Sequence, residues 1–218
     1  MKTSASITIA LALLPAALAG CGGGGGAVTP YPPATPFAVA AANHLLLTAG
    51  GTWRMSGSAS DGSGFNVEVS FTPLADGVFP LTGAPAAREQ QTASGSLAGN
   101  MLSKINSVSY FNPGNDALIG DTNSGDGSCG RVTSNTALTS CSPDASPAST
   151  NTTTWSLETD RGVTLLCLNT STVDLRTPSD SGTVSYCVET APDGTLGDRA
   201  RISISLLDGS FSLVARNY

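Results

Sequence analysis

Phe65, Val67, Val69 and Phe71 alternate with Asn66, Glu68, Ser70 and Thr72, the period-two pattern of a strand with one apolar and one polar face. Trp53 and Met55 precede this run with the same alternation. A three-residue loop at Asp61-Gly62-Ser63 predicts Trp53 opposite Phe71 and Met55 opposite Val69. Near the C-terminus, Asp208-Gly209 predicts a two-residue type I′ turn, because both residue types tolerate positive φ. That loop sets Leu206 against Phe211, Ile204 against Leu213 and Ile202 against Ala215, with Ser205 facing Ser212 on the other side. Asp-Gly recurs at Asp61, Asp76, Asp126, Asp193 and Asp208, so antiparallel hairpins are expected repeatedly.

Further strands are expected at 78–82, 105–111, 153–158, 163–169 and 183–189, about ten in all. No long window carries apolar residues at helical spacing, which argues against crossover helices. The expected class is all-β, an antiparallel barrel or sandwich built from hairpins. The apolar segment 37–47 reads as a short helix or a first strand and holds the only histidine, His44. The segment 121–154 is rich in Ser, Thr, Asn, Asp and Pro and reads as a long stapled loop containing Cys129 and Cys141. Cys167 and Cys187 fall in two expected strands and read as a staple between neighbours. Two disulfides are expected, with Cys129–Cys141 and Cys167–Cys187 the favoured of the three pairings that four cysteines allow, each contributing about 3 kcal/mol on the loop-entropy model. A redox or metal role for these four lacks both a Cys-x-x-Cys spacing and histidines.

The N-terminus changes the picture most. Lys2 precedes an apolar run over 7–18, shorter than the roughly 20 residues a membrane-spanning helix needs. The run closes on Leu18-Ala19-Gly20-Cys21, which resembles the lipobox of bacterial lipoprotein precursors. The resemblance implies a signal peptide at 1–20, cleavage before Cys21, and diacylglycerol and palmitate-type acyl chains on Cys21. The alternative is an ordinary signal peptide cut near Ala17 or Ala19. Lipidation of one of five cysteines leaves four, an even number suited to an oxidising envelope. Residues 21–36, glycine-rich and then proline-rich, form a tether, and 37–218 form one β domain. Gly22, rather than Asp, after the lipidated cysteine implies by resemblance the outer membrane as the destination. Its periplasmic or surface-facing side stays open. The formal charge of −6 makes nucleic acid a poor partner.

Catalytic motifs are scarce. Gly-x-Ser does not occur, which excludes a nucleophile elbow. His44 sits close to the tether, and Lys104 lacks a Ser-x-x-Lys spacing, so neither reads as a catalytic base. Glu68, Glu89, Glu158 and Glu189 are the only glutamates, and the aspartates mostly occupy turns. The segment Asp121 to Gly127 resembles a calcium loop in its alternating oxygen ligands, with Asp121, Asn123 and Asp126 as candidates, but the fifth position is Gly125, the glycine comes one residue late and position twelve is Val132 instead of a bidentate glutamate. No cofactor beyond the covalent lipid is expected. Gly51-Thr52-Trp53 resembles the Gly-x-Trp signature that opens the lipocalin barrel, with Thr159-Asp160-Arg161 echoing part of that family's second motif. The resemblance implies a ligand near Trp53. Three readings stand: a non-enzymatic outer-membrane lipoprotein acting as an envelope structural or protein-interaction module, a lipocalin-like carrier of a small apolar ligand, and an envelope enzyme of unrecognised type.

Overall fold

The computed structural model describes residues 39–218. Cys21, the signal segment 1–20 and the tether 21–36 lie outside the described residues, as does the side chain of Trp155. One helix, α1 (Val39–Ala49), precedes thirteen strands. These are β1 (Gly51–Ala59), β2 (Gly64–Val78), β3 (Pro85–Leu97), β4 (Asn100–Met101), β5 (Ile105–Phe111), β6 (Leu118–Asn123) and β7 (Cys129–Arg131). They continue with β8 (Thr136–Leu138), β9 (Pro147–Asp160), β10 (Val163–Asp174), β11 (Gly182–Thr190), β12 (Leu196–Leu206) and β13 (Ser212–Arg216). The short β4 pairs with the end of β3. The other twelve each pair antiparallel with the next in sequence, and β13 returns to β1, so they close into an up-and-down barrel. Closure removes the sheet edges that an open β layer must otherwise protect.

The first hairpin forms, with its register moved by two residues: Gly51 lies opposite Phe71, Trp53 opposite Val69 and Met55 opposite Val67. The loop starts one residue earlier than the Asp-Gly pair implies. Gly62 N–H donates to the Ala59 carbonyl and Gly62 takes φ +84°, the type I turn closed by a left-handed glycine. A two-residue slip keeps every side chain on its face, so Trp53, Met55, Phe65, Val67, Val69 and Phe71 are all buried. At the C-terminus the expected pairs Ile202–Ala215, Ile204–Leu213 and Ser205–Ser212 hold, but the turn is not type I′. Gly209 N–H donates to the Leu206 carbonyl, and only Gly209 of the Asp-Gly pair has positive φ. Asp208 instead turns its Oδ1 onto the Ser210 N–H at 2.9 Å.

The segment 78–82 is not a strand. It ends β2 and enters a turn in which Gly83 N–H donates to the Phe79 carbonyl. Its apolar residues serve a second purpose: Phe79 and Leu81 pack with Tyr110, Cys129 and Leu138 in a small outer-face cluster. Gly120 lies under the Phe79 ring, where a Cβ would come within 2.4 Å of it. The polar segment 121–154 is likewise not a plain loop, for it contains β7, β8 and parts of β6 and β9. Both expected disulfides are present, Cys129–Cys141 and Cys167–Cys187, the latter joining directly opposed positions of β10 and β11.

The segment 37–47 becomes α1. Gly50 at φ +68° ends it, its N–H donating to the Leu46 carbonyl, the usual left-handed helix stop. A Cβ there would also meet the Phe71 carbonyl at 2.4 Å. Leu46 and Leu47 join the main core against β2 and β3. Outside the barrel the strands present Arg54, Ser56, Glu68, Ser70, Gln90, Thr92, Ser185 and Ser203, opposite in parity to the buried positions.

Candidate functional site

In β3, Ala87, Glu89, Gln91 and Ala93 share one face and Arg88, Gln90 and Thr92 the other. The first face points inward, because Glu89 and Gln91 lie opposite Ser109 and Ser107 of β5 and directly opposed residues share a face. Glu89, Ser107 and Ser109 are 0 % exposed and Gln91 is 3 % exposed. The Gln91 amide Nε2 donates to Ser109 Oγ at 3.3 Å. Both Glu89 oxygens, Gln91 Oε1 and Ser107 Oγ have no hydrogen-bond partner, and neither does the Tyr186 hydroxyl. Burial pushes the Glu89 carboxyl up to about 8, with the Gln91 side chain opposing. Glu89 is therefore mainly protonated at neutral pH. Tyr186, from β11, is shifted well up by burial and by the negative charge of Glu89, and its ring lies 5.5 Å from that of Phe71, the residue opposite Gln91.

The neighbouring strand β6 adds Asp121, opposite Ser109 and Gly130. Burial raises its carboxyl to about 6, against a hydrogen bond from the Gly130 backbone. The Asp121 Oδ1 occupies the space of a Gly130 side chain, 2.0 Å from where its Cβ would be. On β9 and β10, Ser149, Thr170 and Thr172 are buried, and Thr172 Oγ1 donates to Asn151 Oδ1 at 2.8 Å. The interior thus has a polar side formed by β3, β5, β6, β9 and β10. The side of β1, β2 and β11–β13 is apolar, and its core continues through Ala93, Leu97, Ile105, Phe111, Leu118 and Leu168 beside these polar groups. Aromatic rings meet across the interior: Trp53 to Phe71 at 5.8 Å, Trp53 to Tyr186 at 6.3 Å and Phe71 to Tyr186 at 5.5 Å between centroids.

Trp53 is thus a buried core residue, 6 % exposed, whose Nε1 donates to the Gly197 carbonyl at 3.4 Å. Asp121, Asn123 and Asp126 are spent on separate local contacts. Asn123 Oδ1 accepts from Gly125 N–H at 2.8 Å and Asp126 Oδ1 from Ser128 N–H at 2.9 Å, the Asx-turn role of such residues. His44 is exposed and pairs with Asp116 at 2.9 Å.

A second cluster covers the outer side of the Cys167–Cys187 disulfide. Asp160 accepts from Arg216 Nε at 2.7 Å, Tyr218 Oη at 3.0 Å and Arg201 at 3.4 Å. Burial alone would raise its carboxyl, but the hydrogen bonds from Arg216 and Tyr218 and the Arg216 charge hold it below the usual range. Arg201 also pairs with Glu158 and lies 3.1 Å from Cys187 Sγ. Among the described residues, one trio of potential metal ligands clusters, Glu158, Cys167 and Cys187, and both sulfurs are committed to the disulfide. Every charge in this outer network is paired, which makes it a cover for the disulfide.

Sequence reasoning left Glu89 among carboxylates explained by position and did not anticipate β3. A signal was present: Ala87, Ala93 and Leu97 share parity with Glu89 and Gln91, while the alternate positions from Arg88 to Ser96 are all polar. No protein-family model matches the chain, and no curated protein or solved structure matches it either.

Proposed function

We propose that the chain is a non-enzymatic lipoprotein, anchored to the outer membrane through acyl chains on Cys21, whose barrel is a rigid, water-facing structural or protein-interaction module of the cell envelope. One observation carries the reading: the barrel is closed, polar outside and crossed inside by the Trp53, Phe71 and Tyr186 rings. A barrel that crosses a membrane carries an apolar outer band, whereas Arg54, Glu68, Ser70, Gln90 and Thr92 alternate on this outer face. Attachment then falls to the lipid, and two or three acyl chains at about 0.8 kcal/mol per buried CH₂ hold permanently.

The same rings weigh against a carrier of an apolar guest, since they fill the volume beside Trp53 that such a guest would need. Glu89, the most perturbed carboxyl, has no exposed surface to meet an external substrate, which favours a module over an enzyme. The test is the mass of the mature protein isolated from envelopes, taken under native and denaturing conditions. The reading expects a chain starting at Cys21 with a diacylglyceryl and acyl increment in both, and no further organic mass natively. An unmodified Cys21 overturns the anchor. An apolar guest lost on denaturation overturns the module in favour of the carrier.

A further inference from the structure

We propose that the barrel interior holds a specific site for a small monovalent cation, Na⁺ or K⁺, bound by Glu89 with Gln91 Oε1, Ser107 Oγ and the Tyr186 hydroxyl as neutral oxygen ligands. The inference starts from hydrogen-bond accounting. A buried polar group without a partner costs about 1–3 kcal/mol, and native proteins keep few of them. Here five such atoms belong to four residues in one part of the interior: both Glu89 oxygens, Gln91 Oε1, Ser107 Oγ and Tyr186 Oη. Register places Glu89 and Gln91 beside Ser109 and Ser107 on adjacent strands, and the Tyr186 ring lies 5.5 Å from that of Phe71, the β2 residue opposite Gln91.

All five atoms are oxygens. With Glu89 ionised, three of them, the Glu89 pair and Gln91 Oε1, are sp² acceptors, and the Gln91 amide, which opposes the rise of the Glu89 carboxyl, donates to Ser109 at 3.3 Å. Ser107, Tyr186 and the protonated Glu89 each bring an O–H of their own, but once Glu89 ionises the group lacks a positive charge, and a hard cation, for which all-oxygen surroundings are the normal ligand set, supplies it. Charge selects the valence. One carboxylate neutralises one positive charge, whereas a divalent ion would leave an unpaired charge in a low-dielectric interior. Asp121 is the next inward carboxyl, and it is held by the Gly130 N–H on the strand beyond.

Loading balances as an exchange: the Glu89 carboxylic acid releases its proton to solvent and the carboxylate takes the cation. Among the described residues, the inward titratable groups on the strands around Glu89 are Tyr186 on β11 and Asp121 on β6, which shares Ser109 as its opposite residue, while inward β5 offers Ser107 and Ser109 there. The buried residues of α1 and β2 there, Leu46, Leu47 and Phe71, are uncharged.

The test uses the mature full-length protein in mild detergent. Weakly buffered protein at pH 7 is mixed with NaCl, KCl or choline chloride at equal ionic strength, and released protons are counted. The expected result is up to one proton per chain with Na⁺ or K⁺, none with choline, and none from the E89Q variant with any salt. Melting at pH 9 gives a second reading: the Tm in NaCl or KCl exceeds that in choline chloride for the native sequence and not for E89Q. Should E89Q fail to fold, Tyr186→Phe removes one ligand oxygen and is expected to raise the cation concentration for half release roughly tenfold. Proton release and Tm that are the same in all three salts overturn the site and assign the unpartnered oxygens to water. A Na⁺- or K⁺-specific response that survives in E89Q overturns it as well. Neither result bears on the lipid anchor or on the module reading.

Discussion

Replacing Glu89 by Gln tests the interior by thermodynamic linkage. The carboxyl is raised from 4.5 to about 8, so between these pH values the folded chain holds a proton that the unfolded chain has released. Stability is then fully present below pH 4.5 and is lost as pH climbs toward 8. The slope is about 1.4 kcal/mol per pH unit, about 5 kcal/mol across the window, as much as the whole stability of a weak domain. Glutamine has nearly the shape of the protonated acid and cannot ionise. E89Q should therefore match the native sequence near pH 4.5 and exceed it by several kcal/mol at pH 8. Asp121, raised to about 6, adds its own falling slope between pH 3.8 and 6. It does so in both proteins, so the difference between them isolates Glu89. The assay is urea unfolding at fixed pH, with disulfides intact and followed by tryptophan fluorescence. It is run in choline chloride so that no small cation holds the ionised form. Parallel pH profiles, differing in slope by less than about 0.3 kcal/mol per unit, would refute the claim that Glu89 is buried uncharged.

Gly130→Ala drives a methyl group into the Asp121 carboxylate and should cost about 1–3 kcal/mol by urea unfolding, with most of the loss recovered when Asp121 is also changed to Ala. Tyr186→Phe removes a buried hydroxyl with no partner and should leave stability within about 1 kcal/mol of the native value in choline medium; Tyr186→Ala, which opens the ring cluster, should cost about 3–5 kcal/mol. Cys167→Ala with Cys187→Ala should lower stability by about 3 kcal/mol, since the bridge closes a loop of 20 residues. Asp160 is held below its ordinary range, so its contribution is present above pH 3.8 and lost as pH falls further; D160N should flatten that acid limb of the melting curve.

The strands that sequence alone makes legible are those whose inward positions are apolar. Phe65 to Phe71 and Ile202 to Leu206 announce their faces without help from any neighbour. The turn details were harder, because an Asp-Gly pair fits both a type I′ loop and a type I turn ending in a left-handed glycine. Gly62 and Gly209 both chose the second, which moved one register by two residues and left the other in place. Phe79 and Leu81 misled for a different reason. Apolar residues in a turn look like a strand unless an outer cluster is there to receive them. The short strands β7 and β8 have too few residues to show a period at all.

The interior site was illegible because burial of Glu89 is a property of closure. A lone glutamate in a polar strand is assigned to solvent, and only the pairing of β3 with β2 and β5 turns it inward. Apolar burial is therefore thinner inside that part of the barrel, where Ala93, Leu97, Ile105, Phe111, Leu118 and Leu168 share the interior with polar side chains and the Phe79 cluster packs on the outer face. The cysteines are placed where that support is weakest. Cys129–Cys141 ties β7 to the segment after β8, beside strands of three residues each. Cys167–Cys187 joins β10, the last strand of the polar side, to β11, the first of the apolar side. If that division of labour holds, reduction should open the polar side first. Amide exchange would then rise in β6–β9 while the β1–β2 and β12–β13 hairpins stay protected. Uniform exchange across both sides on reduction would mean that the polar interior is held by something other than its staples.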